Sequence, residues 1–192
     1  MAPANLEKEL LSRNLPERIQ FIAEYFAGEK IVFSSSFGQE DQAITQAIAS
    51  TKSNIEIFTL DTGRQFQESY ELMDLTIKKY GISIQTFFPS TLAVEKLVAE
   101  KGFNSFYVSV ENRKECCFVR KMEPLSRALK GAKVWITGLR AEQSENRADM
   151  PILEWDDSRQ LFKINPLIDW DFSTLEKYLK DHKIPQNPLH KK

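Results

Sequence analysis

The sequence predicts an α/β fold: a mainly parallel, twisted sheet with helices on both faces and a hairpin on one edge. Three observations carry this reading. Short apolar runs alternate with amphipathic stretches of helical period, the pattern of a sheet built from strand–helix–strand units. The first two strand-like runs each end in a polar turn that carries a glycine, and the third is closed by Pro89. Two further runs are separated by only five polar residues, Asp156 to Gln160, which suits a hairpin and not a crossover.

Leu6, Leu10, Leu11, Ile19, Ile22 and Phe26 recur at helical spacing and predict one or two opening helices, broken near Pro16. Lys30–Phe33 reads as the first strand and Asp41–Ser50 as the first helix behind it. Ile55–Leu60 is the second strand, and Phe66–Tyr80 an amphipathic helix ended by Gly81. Ile82–Phe88 is the third strand and Leu92–Lys101 the next helix. A helical stretch from Lys114 to Lys130 carries both cysteines, and Ala132–Thr137 is the fourth strand. A polar loop from Gly138 to Met150 follows, then the hairpin Ile152–Trp155 with Leu161–Ile164. Ser173 three residues before Glu176 predicts a capping box for a helix running to about His182. With no repeat, linker or low-complexity tract, residues 1–192 read as one domain, residues 1–28 forming its N-terminal helices.

Composition narrows the function classes. The 192 residues carry a formal charge of −1, which argues against a broad nucleic-acid-binding surface. No apolar stretch approaches the ~18 residues of a membrane span. Met1–Arg18 is too polar for a secretory signal, and two adjacent cysteines cannot build a disulfide framework, so a cytoplasmic location is expected.

In sheets of this kind ligands bind outside the carboxyl ends of the strands. Three loops there carry polar chemistry. Ser34, Ser35, Ser36, Phe37 and Gly38 lie between the first strand and its helix, where unpaired N–H groups and the helix dipole favour an oxyanion. Leu60, Asp61, Thr62, Gly63 and Arg64 follow the second strand. Gly138, Arg140 and Arg147 follow the fourth, and arginine forks match the paired oxygens of phosphate or sulfate. Each loop also has a plain structural reading: a β–α turn, an Asx turn, solvated arginines. Their convergence on one sheet edge is what favours a binding site.

Cys116 and Cys117 stand among Arg113, Lys114, Arg120 and Lys121. The pair can be read as one buried thiol on a basic helix, as a strained vicinal disulfide, or as two thiolates on iron. A cluster normally takes four ligands, and the sequence has two cysteines. His182 and His190 would complete four by number, but their spacing suits surface or capping roles better.

Together these segments resemble the adenylyl-sulfate / phosphoadenylyl-sulfate reductase family, a branch of the adenine-nucleotide α-hydrolase-like (Rossmann-like) fold. The resemblance rests on Ser34–Gly38, Thr59–Gly63, Glu115–Lys121, Gly138–Arg140 with Gln143, Ser144 and Arg147, and Asn165-Pro166-Leu167. It implies that Ser35, Phe37 and Gly38 line a nucleotide and phosphosulfate site, that Leu60 meets the adenine through its backbone, and that Gly138 lies against the nucleotide. Lys121 and Arg147 would face the phosphosulfate. Cys116 and Cys117 resemble the metal-binding pair of the branch that carries a [4Fe-4S] cluster and reduces adenosine 5′-phosphosulfate rather than its 3′-phosphorylated form. The implied partners are that substrate or AMP, thioredoxin, and further copies of the chain in a homodimer or homotetramer.

In the family, a segment like Asn187-Pro188-Leu189-His190 runs on into a Cys-x-x-Cys pair and later a Glu-Cys-Gly nucleophile, neither of which occurs here. The expectation is therefore a nucleotide-binding core with no catalytic cysteine, an absent or incomplete cluster and no turnover of its own. A naturally short, non-catalytic nucleotide-binding module is the alternative. An ATP pyrophosphatase is disfavoured, because the first loop lacks that group's paired glycines.

Overall fold

The computed structural model describes residues 4–144 and 149–191. Helices α1 (Ala4–Leu11) and α2 (Leu15–Tyr25) open the chain. The break between them is a capping box: Asn14 Oδ1 accepts the Glu17 N–H at 3.1 Å, and Glu17 Oε2 accepts the Asn14 N–H at 3.0 Å. Pro16 sits in the first turn of α2, where its missing N–H costs nothing.

Strand β1 (Ile31–Ser34), helix α3 (Gln39–Thr51), strand β2 (Glu56–Leu60), helix α4 (Gln67–Tyr80) and strand β3 (Ile84–Phe87) alternate as the sequence predicts. Helix α3 begins two residues earlier than expected because Gly38 is its N-cap. Helix α5 (Thr91–Lys101) leads to α6 (Val110–Cys117), a π turn (Phe118–Met122) and α7 (Glu123–Ala128). This stretch starts at Val110 and not at Lys114, since Ser109 Oγ accepts the Asn112 N–H and caps it. Strand β4 (Val134–Ile136), the hairpin β5 (Leu153–Asp156) and β6 (Leu161–Ile164), and helix α8 (Phe172–Asp181) complete the fold. The expected Ser173–Glu176 capping box is not formed. Asp171 is the N-cap, its carboxylate accepting the Thr174 N–H at 2.7 Å, and Ser173 Oγ donates to the same carboxylate. With the helix starting at Phe172, Ser173 already lies inside its first turn and cannot serve as the cap.

The six strands lie in the order β3-β2-β1-β4-β6-β5, parallel except for the edge strand β5. The twofold alternation of strands divides the core. Ile31, Phe33, Ile57, Val134, Ile136 and Ile164 pack on one face with Ala43, Ile44 and Ala47 of α3 and Ile19 and Ile22 of α2. Val32 and Phe58 point to the other face, against Ala128 and Leu129. Fully burying each large apolar side chain contributes about 1.5–3 kcal/mol. Helices therefore cover both faces, as the near-continuous apolar strands require.

Candidate functional site

From β1 the chain moves to β2 on one side, and after α7 it returns to β4 on the other. The switch in strand order thus falls between β1 and β4, the place where such sheets bind ligands. A cavity of about 510 Å³ opens there. Ser34 and Leu60 line it from the carboxyl ends of β1 and β2, Ser35, Ser36 and Gly38 from the first loop, Thr62 from the second, and Gly138 from the third. Lys121 joins them from the π turn, so residues from four separate segments meet there, while Phe37 and Gly63 do not line the cavity.

The three serine hydroxyls are not equivalent. Ser34 Oγ accepts the Trp135 indole N–H at 2.9 Å. Ser35 Oγ accepts the Phe37 N–H at 3.2 Å. Ser36 Oγ and its backbone N–H both donate to Asp41 Oδ2, each at 2.6 Å. Phe37 takes up φ 61°, in the left-handed region that a bulky residue seldom enters; its buried ring and the Ser35 hydrogen bond hold it there.

Asp41, in the first turn of α3, is buried behind this loop. Burial pushes its pKa up to about 6 and outweighs the hydrogen bonds from Ser36, which pull it down; the charge of Glu40 adds to the rise. Gly138 runs directly over the same carboxylate, so close that a Cβ there would overlap Asp41 Oδ1.

Asp61 does not line the cavity. Its Oδ1 accepts the Gly63 N–H at 2.7 Å and its Oδ2 the Tyr70 hydroxyl at 2.7 Å, an Asx turn with a second anchor. Gly63 supplies the positive φ of 71° that the turn needs. Arg120, also buried, donates to the Thr62 carbonyl at 2.7 Å. The π turn, one residue wider than an α turn, gives the neighbours Arg120 and Lys121 different tasks: one braces the second loop, the other faces the cavity.

Arg140 is not at the lining either. Its buried guanidinium is held by Glu40 at 2.9 Å and Glu142 at 2.9 Å, with the Phe172 ring beneath it. Glu142 also accepts the Phe172 N–H, so the third loop is latched to the start of α8. Arg147 lies outside the described residues. Cys117 is exposed, Cys116 half-buried, and neither lines the cavity. His182 is the C-cap of α8 and stacks on Tyr178 at 4.2 Å, the capping role read from sequence; the side chain of His190 lies outside the described residues.

Iron can be tested against this donor set. Among the described residues no three His, Cys, Asp or Glu side chains converge as a metal site would require. Two successive residues on a helix point about 100° apart. These residues do not fit a complete four-thiolate site, and no step below involves one.

Sequence reasoning named Gln143 only as part of a motif and gave no site role to Glu40, Asp41, Gln65, Trp135 or Lys163; all six line the cavity. Trp135 and Lys163 are register partners on β4 and β6, and Lys163 is paired with Glu154 at 2.6 Å. Strand alternation puts each on a face, but only the strand pairing puts them side by side.

With this geometry in hand, likeness to known proteins is informative. The family described as phosphoadenosine phosphosulfate reductase domain matches residues 30–192. The chain is 45% identical over 189 residues to an adenosine 5′-phosphosulfate reductase of Agrobacterium fabrum, covering 98% of this chain and 72% of that one. It is 47% identical over 182 residues to the Rhizobium meliloti protein of the same name, covering 95% and 68%. A phosphoadenylyl-sulfate reductase from Candida auris, solved as a phosphate complex, superposes with a TM-score of 0.79 at 25% identity, over 97% of this chain and 88% of that one. The NH3-dependent NAD synthetase of Campylobacter jejuni, at TM-score 0.62 and 11% identity over 98% and 78% of the two chains, shares the fold alone. Fold, switch-point cavity and sequence agree: the chain belongs to the phosphoadenosine phosphosulfate reductase family of enzymes.

Proposed function

We propose that this chain binds adenosine 5′-phosphosulfate at the β1–β4 cavity and serves reductive sulfate assimilation, forming sulfite and AMP with thioredoxin as reductant. The observation that carries the reading is the meeting of the serine turn, Leu60 and Thr62, Lys121 and Gly138 in one cavity at the switch point. The turn and the N-terminus of α3 suit the phosphosulfate oxygens, with Lys121 as counter-charge. Phe58, Leu60 and Leu125 offer an apolar wall to the adenine. The naming of 45–47% identical relatives as adenosine 5′-phosphosulfate reductases favours the substrate without a 3′-phosphate.

In the reaction a cysteine thiolate attacks the sulfate sulfur, the sulfur–oxygen bond to AMP breaks, and AMP leaves with that electron pair. A thioredoxin thiolate then attacks the sulfocysteine sulfur; sulfite departs and a disulfide forms, so the two thiols supply both electrons. Cys116 and Cys117 do not line the cavity and are not the attacking thiol. Residues 1–192 alone are accordingly a binding core without turnover, in cytoplasmic homodimers or homotetramers.

Calorimetric titration with adenosine 5′-phosphosulfate, its 3′-phosphorylated form, AMP and ATP tests the reading. The expected order puts the phosphosulfates first, with affinity falling as salt rises. Equal, salt-insensitive affinity for all four would overturn it.

A further inference from the structure

The inference rests on the reading of the cavity as a phosphosulfate site and concerns Trp135, which nothing in the motif pattern singles out. An indole N–H can only donate. The 2.9 Å bond from Trp135 Nε1 to Ser34 Oγ therefore has one polarity: the serine oxygen accepts. A serine hydroxyl has one proton and two lone pairs, and its proton cannot point back along that bond. Ser34 itself lines the cavity. Its neighbour Ser36 is already committed as a donor to Asp41.

We propose that Trp135 is a positioning residue for the anionic end of the substrate: its indole N–H fixes the Ser34 hydroxyl as a donor into the cavity. The indole plane is itself held. Lys163 Nζ and Arg159 Cζ each lie 5.9 Å from its ring centroid, and both cations are anchored by carboxylates, Glu154 and Asp156. The row Glu154–Lys163–Trp135–Ser34 thus runs from the edge strand across the sheet to the carboxyl end of β1. Without the indole N–H, the hydroxyl rotor is free to satisfy itself elsewhere, and the anion loses a preset donor.

A double-mutant cycle tests this. The parent chain, Trp135→Phe, Ser34→Ala and the double variant are titrated with adenosine 5′-phosphosulfate, AMP and uncharged adenosine. Ser34→Ala is expected to weaken the two anions about tenfold, as loss of a charge-assisted hydrogen bond does. Trp135→Phe, which keeps an aromatic ring, is expected to weaken them about three- to tenfold. Both leave adenosine within about twofold, and Trp135→Phe adds nothing in the Ser34→Ala background.

Independent, multiplying effects of the two substitutions, or an equal loss for adenosine, would mean that Trp135 acts by packing and would overturn the assignment. Should Trp135→Phe fold poorly by circular dichroism, Ser34→Ala alone remains decisive: parent-like anion binding by that variant also overturns it. A parent chain that binds the three ligands equally would overturn the site reading instead, and this role with it.

Discussion

Gly138 at the end of β4 passes so close to Asp41 in α3 that a Cβ on the glycine would overlap the Asp41 Oδ1 atom and stand 3.2 Å from Asp41 Cγ and Glu40 Cβ. The third loop and the first turn of α3 therefore meet at a bare glycine. Gly138→Ala must turn the Asp41 carboxylate aside, off its Ser36 hydrogen bonds, or push the helix start or the loop outward. The expected result is a loss of about 1–3 kcal/mol in urea unfolding and weakened nucleotide binding. Unchanged stability and affinity would show that the two segments yield easily.

Asp41 should make both stability and anion affinity depend on pH. Its pKa in the fold is raised from 3.8 to about 6, so between those values the native state holds more protons than the unfolded chain. Its contribution is therefore fully present at acid pH and is lost as pH rises through about 6, a change on the order of 3 kcal/mol. Asp41→Asn should flatten this part of the stability–pH curve. Protonation also removes a negative charge beside the serine turn. Affinity for adenosine phosphosulfate, whose own charge is constant in this range, should rise from about pH 7 to about pH 5 in the parent and not in Asp41→Asn.

Arg18 ties the N-terminal helices to the turn after β6. Its guanidinium meets Asp169 through two bonds of 2.6 and 2.7 Å and also donates to the carbonyls of Leu10 and Pro166. Arg18→Met should cost about 3 kcal/mol, because buried carbonyls and a carboxylate lose their partner. Burial tends to raise the Asp169 pKa, but the hydrogen bonds and charge of Arg18 prevail and lower it. This stabilisation is present above the unfolded value and disappears on acidification below about pH 4. The stability gap between parent and Arg18→Met chains should therefore narrow in acid without closing, because the bonds to the Leu10 and Pro166 carbonyls do not titrate.

Lys121→Ala should weaken phosphosulfate binding about tenfold and reduce its salt dependence, while adenosine binding stays close to that of the parent. An equal loss for adenosine would assign Lys121 to structure.

Anaerobic reconstitution with iron and sulfide should leave residues 1–192 with well under the four irons per chain of a complete cluster. Cys116→Ser should lower any iron retained. Near-stoichiometric cluster loading would mean that ligands outside this pair complete the site.

Much of this was legible from local pattern. Apolar runs of strand length, helix-period stretches and glycine-bearing turns placed the six strands and their loops, because burial of one face imposes its period on the chain. The edge hairpin followed from the five residues between its strands. Helix starts were less legible: the cap of the last helix is Asp171 and not Ser173, and the cysteine-bearing helix starts at Val110 and not at Lys114, since a cap depends on which side chain reaches the free N–H.

The residue types near the cavity could be read from loops, but their duties could not. Arg140 and Asp61 carry the charges expected of ligand contacts, yet one is latched between Glu40 and Glu142 and the other closes an Asx turn with Gly63 and Tyr70. Trp135, Lys163 and Asp41 reach the cavity through strand register and helix placement. Local sequence specifies periodicity, turns and candidate chemistry, which depend on neighbours a few residues away. Which hydroxyl donates, which charge is already paired and which glycine must stay bare depend on groups roughly a hundred residues apart, such as Ser34 with Trp135, Glu40 with Arg140 and Asp41 with Gly138. Those distances exist only once the sheet has brought β1 beside β4.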